Sequence, residues 1–447
     1  MPAMSTSKLT FGLVLAPLTL AACSGTSDGP SALTPTDPPP TEDTETSDTG
    51  TDGTTPEPCT AFSPGGEGDL LVDGAGATDA TERCTERLHA VVVPAGSTFE
   101  VSLVNWVADT PAHLELRDWN GDLLEEASDL QAGDALVFDA RWAGEHALVL
   151  RSLDGEVADY ALSAQCLEGC DAPTTRYPIV FMHGMAGTES FFDILDYWYD
   201  VLPTLQNAGY NVHVASVDPF QPTPVRAERW MDHLDALFAS GQARRVNLIG
   251  HSQGGLDARY VATILDADQR VKSVTTVATP HRGAAVADMV HDLVAGVAIA
   301  EALADEVFDA LAGVYGLDAD QDIVAQTTQL TTAASVQFNL DVPDRTDVAY
   351  YSWAGDTCDL LDLVCQLDLG GEIVDPFLAA THVLTSLVEG ANDGLVSVES
   401  AKWGTYLGVL PADHLDEVGL LPGTTAPGFD HLQFYLDEAE RLGDAGF

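Results

Sequence analysis

Two rhythms of apolar and polar residues divide the chain. Between Cys59 and Cys170, apolar side chains recur at alternate positions in short runs: Leu88/Ala90/Val92, Phe99/Val101/Leu103, Leu114/Leu116, Ala135/Val137, Leu148/Leu150 and Tyr160/Leu162/Ala164. Turn-forming residues such as Asn120-Gly121 separate them. A period of two puts successive side chains on opposite faces of a strand, so this segment is predicted to be an antiparallel β-sandwich. After Pro173 the rhythm changes. Solid apolar runs at 179–182, 212–217, 246–249, 274–277 and 348–352 alternate with helix-length segments such as 227–238 and 256–265. Strand and helix in alternation predict an α/β domain with a mostly parallel central sheet and helices on both of its faces.

Before the sandwich the pattern is different again. Residues 1–22 carry one lysine, Lys8, and an apolar stretch from Leu9 to Leu20 that is too short to span a bilayer, as in a signal peptide. The stretch ends in Leu20-Ala21-Ala22-Cys23, which resembles a bacterial lipobox; that resemblance implies lipidation of Cys23, and Ser24 after it implies sorting to the outer membrane. Such a protein is exported, either as a cell-surface lipoprotein or in secreted form. Apart from Ala32 and Leu33, residues 24–58 are Ser, Thr, Pro, Gly and acidic residues with no basic one, a composition that forms an extended acidic tether within the segment 23–58. The expected organisation is therefore signal peptide 1–22, tether 23–58, sandwich 59–170 and α/β domain 174–447.

Charge and cysteine content narrow the partners. The 447 residues include 70 acidic and 18 basic ones, a formal net charge of −52, which repels nucleic acid and excludes it as a ligand. Apart from Cys23 the cysteines are Cys59, Cys84, Cys166, Cys170, Cys358 and Cys365, an even number in an exported chain, so disulfides are expected. Cys358 is expected to pair locally with Cys365, and the other four within the sandwich.

Chemistry enters at Gly250-His251-Ser252-Gln253-Gly254, between the run 246–249 and the helix former that follows. A serine at a sharp strand-to-helix turn is pushed out of the sheet with its hydroxyl exposed, as a nucleophile requires. It needs a base to take its proton and an acid to orient that base. Asp393, in Asn392-Asp393-Gly394, and His414, in Asp413-His414-Leu415-Asp416, are the leading candidates. His431 and His382 compete as base, and Asp430 and Asp375 as acid.

Seven blocks in order resemble the true lipases of Pseudomonas and Burkholderia, over about residues 174–447: Tyr177-Pro178-Ile179-Val180-Phe181-Met182-His183-Gly184-Met185, Val246 to Gly255, Thr279-Pro280-His281-Arg282-Gly283, Leu330-Thr331-Thr332-Ala333, Tyr351-Ser352-Trp353-Ala354-Gly355, Asn392-Asp393-Gly394-Leu395-Val396 and His414-Leu415-Asp416-Glu417-Val418. The resemblance implies an α/β-hydrolase fold and a triacylglycerol lipase acting on long-chain acylglycerols. It implies Ser252 as nucleophile, Asp393 as acid and His414 as base, with the backbone N–H groups of Met185 and Gln253 forming the oxyanion hole. It further implies a structural Ca²⁺ held by Asp416, Asp375 and the carbonyls of Leu420 and Thr424, with Asp368 or Glu372 as alternatives to Asp375. A dedicated membrane-bound foldase is a partner common in the family. The stripe Val286, Met289, Val290, Leu293, Val294 and Val297, continued by Leu303, Val307, Leu311 and Val314, coincides with the family's lid over the serine. The family's cysteine after Asp-Gly-Leu-Val is missing from Ser397-Val398-Glu399-Ser400. An esterase, phospholipase or polyester hydrolase would use the same triad, and a surface adhesion protein is the reading from outside enzymes. The sandwich resembles small jelly-roll-like domains appended to secreted hydrolases; it carries no catalytic constellation, and a spacer or stabilising role is expected ahead of carbohydrate binding.

Overall fold

A computed structural model describes residues 59, 61–185, 187, 197–295, 322–358, 363–368, 372–421 and 423–447. The signal peptide, Cys23, the tether and the lid residues Val297, Leu303, Val307, Leu311 and Val314 lie outside the described residues. Glu57–Phe447 forms one compact unit.

Nine strands make the sandwich: β1 (Ser63–Asp69), β2 (Ala77–Ala80), β3 (Thr85–Val93), β4 (Thr98–Val107), β5 (Ala112–Arg117), β6 (Leu123–Leu130), β7 (Ala135–Asp139), β8 (Gly144–Ser152) and β9 (Asp159–Glu168). They form a five-stranded sheet, β1-β3-β8-β5-β6, and a four-stranded sheet, β2-β9-β4-β7. All pairings are antiparallel except β1 with β3. Alternate residues of both sheets meet in one core, including Val91, Phe99, Val101, Leu114, Leu148 and Tyr160. Cys59–Cys84 and Cys166–Cys170 are disulfide-bonded within this region, as expected.

The second region is a six-stranded sheet, entirely parallel, in the order β11-β10-β12-β13-β14-β15. Its strands are β10 (Ile179–Met182), β11 (Val212–Val214), β12 (Val246–His251), β13 (Val271–Val277), β14 (Ala349–Asp356) and β15 (Thr405–Pro411). A separate apolar cluster covers each face. Val201 and Leu205 of α1 (Val201–Ala208) and Tyr435 of the helix His431–Asp444 pack with Phe181. Trp230 and Leu234 of α2 (Thr223–Ala239) and Ala258 of α3 (Gln253–Tyr260) pack with Val180 and Leu248. Helices on both faces explain why these strands read as unbroken apolar runs. The expected strand 212–217 ends at Val214, because edge strand β11 pairs only with residues 179–181 of β10. The expected helix 256–265 begins at Gln253, and its last five residues, Val261–Leu265, form a π-helical turn.

The two regions meet through charge. Glu145 of β8, buried, receives Arg176 Nε at 2.7 Å and Arg244 Nε at 2.8 Å. Arg176 also pairs with Asp69, and Arg244 with Glu67, while Arg244 stacks 3.9 Å over the Trp119 ring. Trp119 N–H donates to Gly241 O at 2.9 Å and Asn120 Nδ2 to Ala239 O at 2.8 Å. Their partners in the second region immediately precede β10 and β12. The sandwich therefore docks at the end of the parallel sheet opposite the carboxyl ends of its strands.

Candidate active site

The carboxyl end of β12 turns directly into α3, and Ser252 occupies the turn at φ 56°, ψ −129°. A residue with a side chain holds such a backbone only under tight constraint, at a cost of about 1–3 kcal/mol. The constraint is visible in its neighbours. A Cβ on Gly254 would fall 2.0 Å from Met182 O, and one on Gly250 would fall 2.5 Å from the Gly254 backbone. The two glycines are thus required by close backbone approach, and the serine between them is half-buried.

Asp393 and His414 lie on loops after β14 and β15, and the fold brings them together. Asp393 is fully buried; its Oδ1 accepts the N–H groups of Leu395 and Val396, and its Oδ2 lies 2.8 Å from His414 Nδ1. The backbone adds His414 N–H to Asp393 O at 2.9 Å. The His414 ring packs 4.6 Å, centre to centre, from the ring of His251, the residue before the serine. Among the described residues the Ser252 hydroxyl has no hydrogen-bond partner. The competing candidates have structural work: His382 Nε2 bonds Thr357 O at 3.0 Å, His431 Nε2 bonds Tyr199 O at 2.9 Å, and Asp430 caps its helix at Gln433 N–H.

Sequence reasoning missed a second buried chain. Gly184 N–H donates to the Tyr197 hydroxyl at 2.9 Å, Tyr197 meets His251 Nδ1 at 2.7 Å, and His251 Nε2 meets Glu417 Oε2 at 2.8 Å. Burial pushes His251 well down and Glu417 well up from their ordinary pKa values. Glu417 stands three residues after His414, but its hydrogen-bond partner is His251, 166 residues away, which local spacing does not signal.

The loop after β10 runs along the nucleophile; a Cβ on Gly184 would come 2.7 Å from Ser252 Cβ. His183 anchors this loop, with Nδ1 bonded to Gly184 O at 2.9 Å and Nε2 accepting Val217 N–H at 3.1 Å. Burial pushes its pKa down to about 3, so it stays neutral and structural. Arg226 donates to His183 O and, at 2.7 Å, to buried Asp257. Met185 follows Gly184 and is partly exposed, and Gln253 opens α3 with its side chain held by Gln221 O and Gln326. A helix's first amide has no partner inside the helix, so Gln253 N–H is free to face an anion.

Beyond His414 lies an acidic cavity lined by Glu372, Asp375, Asp413, Asp416 and Thr424. Carboxyl oxygens of Glu372, Asp413 and Asp416 fall within 4.8 Å of one another. Burial, with neighbouring carboxylates, raises Glu372 to about 8 and Asp416 to about 7. Oxygen donors crowded in this way suit a hard divalent cation. Asp375 lines the cavity outside that closest trio, and Leu420 N–H bonds Leu415 O. Cys358 pairs with Cys365, as expected. The start of the lid stripe lies on α4 (Ala285–Ala295), where Met289 and Val290 are exposed.

A family model described as the alpha/beta hydrolase fold matches residues 177–298. A triacylglycerol lipase of Pseudarthrobacter phenanthrenivorans is 35% identical over 292 residues, covering 56% of this chain and 90% of the relative. One of Burkholderia plantarii is 35% identical, covering 56% of this chain and 80% of the relative. One of Pseudomonas fragi is 30% identical, covering 62% and 99%. With an α/β-hydrolase sheet behind the elbow and relatives matched over 80–99% of their length, the chain belongs to the bacterial triacylglycerol lipase family and is a carboxylic ester hydrolase.

Proposed function

We propose that this lipase hydrolyses long-chain acylglycerols at a lipid–water surface through an acyl-enzyme on Ser252, with His414 as base and Asp393 as the acid that orients it. The observation that carries the reading is a strained serine at a strand-to-helix elbow together with a buried Asp393–His414 bond of 2.8 Å. With Nδ1–H given to Asp393, His414 Nε2 takes the Ser252 proton as Oγ attacks the ester carbonyl. The resulting oxyanion receives the N–H groups of Met185 and Gln253, each worth about 3 kcal/mol of barrier. His414 returns the proton to the departing glycerol oxygen, and a water deprotonated in the same way releases the fatty acid. The hydrogen bond from Ser252 Oγ to His414 Nε2 forms when substrate binds.

Exposed Met289 and Val290 on α4 support an apolar, interfacial substrate. A structural Ca²⁺ fits the cavity: Asp416, Asp375 and the carbonyl of Thr424, which line it, would hold it together with the Leu420 carbonyl that the resemblance adds, and its charge would neutralise the buried carboxylates beside His414. The N-terminal segment extends the reading to an exported protein carried on the outer membrane by a lipidated Cys23, which intact mass measurement of membrane-extracted protein tests.

Wild type and Ser252→Ala are compared on emulsified triolein and on a soluble short-chain ester. Triolein hydrolysis by wild type alone is expected. Equal hydrolysis by both proteins would remove Ser252 from the mechanism, and a strict preference for the soluble ester would overturn the long-chain reading.

A further inference from the structure

Glu372 has a side chain that its surroundings leave half satisfied. It is fully buried, and Oε1 accepts Thr357 Oγ1 at 2.9 Å, while Oε2 has no hydrogen-bond partner among the described residues. An ionised oxygen without a donor, out of water, is strongly disfavoured unless a positive charge stands beside it. Among the described residues no lysine or arginine pairs with Glu372, Asp375, Asp413 or Asp416; the groups facing Glu372 are Asp413 and Asp416, within 4.8 Å.

The neighbours are arranged differently. Asp413 Oδ1 caps Leu415 and Asp416 N–H, and its Oδ2 accepts Asp375 N–H at 2.7 Å. Asp416 Oδ2 accepts Ala426 N–H at 2.8 Å. Asp375 Oδ1 accepts Phe377 N–H at 2.8 Å and so turns its own loop. These backbone bonds fix three carboxylates in position, and of the four side chains Glu372 alone has a fully buried carboxylate oxygen, Oε2, without a donor among the described residues.

We propose that Glu372 supplies a direct carboxylate ligand, together with Asp416, to the divalent cation inferred above, so that this lipase uses one more anionic side chain than the Asp375/Asp416 pair its resemblance implies. The inference rests on the calcium reading and extends it to a residue of this chain. Ca²⁺ accepts six to eight oxygens in flexible geometry, so an added carboxylate raises affinity without demanding a rigid cage. The cation then ties the strand of chain at 372–375 to the loop 413–426, and that loop carries His414.

The test is calcium binding by the full-length purified protein, read by titration calorimetry and by the rise in Tm on adding Ca²⁺, neither of which needs substrate. Wild type is expected to bind one Ca²⁺. Glu372→Gln, which keeps the volume and the Thr357 contact, is expected to weaken binding at least tenfold and to lose most of the Tm rise, while Asp416→Asn abolishes both. Wild-type affinity in Glu372→Gln would overturn the role of Glu372 and leave the calcium reading standing. Absence of Ca²⁺ binding by wild type would overturn both. Should the Gln variant fail to fold, Glu372→Asp keeps the charge but shortens the reach; unchanged affinity there would overturn the proposal equally.

Discussion

His414 Nδ1 stands 2.8 Å from Asp393 Oδ2, and the other oxygen of Asp393 is pinned by two backbone N–H groups. The carboxylate cannot rotate away, so it dictates which imidazole nitrogen carries the proton. Asp393→Asn puts an amide donor against Nδ1 and favours the wrong tautomer. The expected loss is about 10⁴ in kcat with little change in KM. An Asp393→Asn enzyme within tenfold of wild-type kcat would take Asp393 out of the relay.

Arg226 and Asp257 form an ion pair with both side chains fully buried. Arg226 also donates to the carbonyls of His183 and Asp218, so the pair holds the loop that carries Gly184 and Met185. Asp257→Asn leaves the guanidinium without its counter-charge. Breaking a buried pair from one side costs about 3–5 kcal/mol, read as a drop in urea midpoint. Because the loop that runs along Ser252 loosens, kcat should fall in the molecules that remain folded. A variant as stable as wild type would show that the pair contributes nothing net.

Glu145 gathers two arginines from the hydrolase region into one buried carboxylate. Glu145→Ala leaves Arg176 with Asp69 and Arg244 with Glu67 and the Trp119 ring, so each guanidinium keeps only its more exposed partner and about 1–3 kcal/mol of stability should be lost. The junction lies at the strand ends remote from Ser252, so activity per folded molecule should hold. Loss of kcat without loss of stability would show that the sandwich communicates with the site.

How far the sequence could be read depended on where each residue's partners lie. The buried runs at 179–182 and 246–249 declared their strands because helices cover both faces of the sheet. β1, β2, β6 and β15 were silent: β6, Leu-Leu-Glu-Glu-Ala-Ser-Asp-Leu, is mostly exposed, and β15 breaks its alternation with Gly408 and ends in Pro411. Ser252 was legible because a local turn dictates it. Asp393 and His414 stood out as leading candidates by their local motifs, but a resemblance was needed to set them ahead of Asp430, Asp375, His431 and His382, since their pairing depends on loops from different strands. Tyr197, Glu417 and Arg226 were invisible for the same reason: each acts through a contact with a residue remote in sequence.

Histidines held neutral by burial, His146 and His183 among them, make stability depend on pH. His146, stacked 4.1 Å from Trp142, has its pKa pushed down to about 4, and His183 to about 3. His146 Nδ1 bonds Gly144 O at 3.3 Å, and its Nε2 has no acceptor for a second proton. In the unfolded chain both rings titrate near 6.5, so between 6.5 and the folded values the unfolded state binds more protons. Their contribution is therefore complete above pH 6.5 and drains away as pH falls through that window, by on the order of 3 kcal/mol for His146 alone. Urea unfolding of wild type and His146→Phe at pH 7 and pH 4.5 isolates this term, since Phe keeps a flat ring against Trp142 and cannot titrate. The variant should lose less stability between the two conditions. Identical losses would mean that His146 is already solvated, and that the sandwich core opens around it before acid reaches the ring.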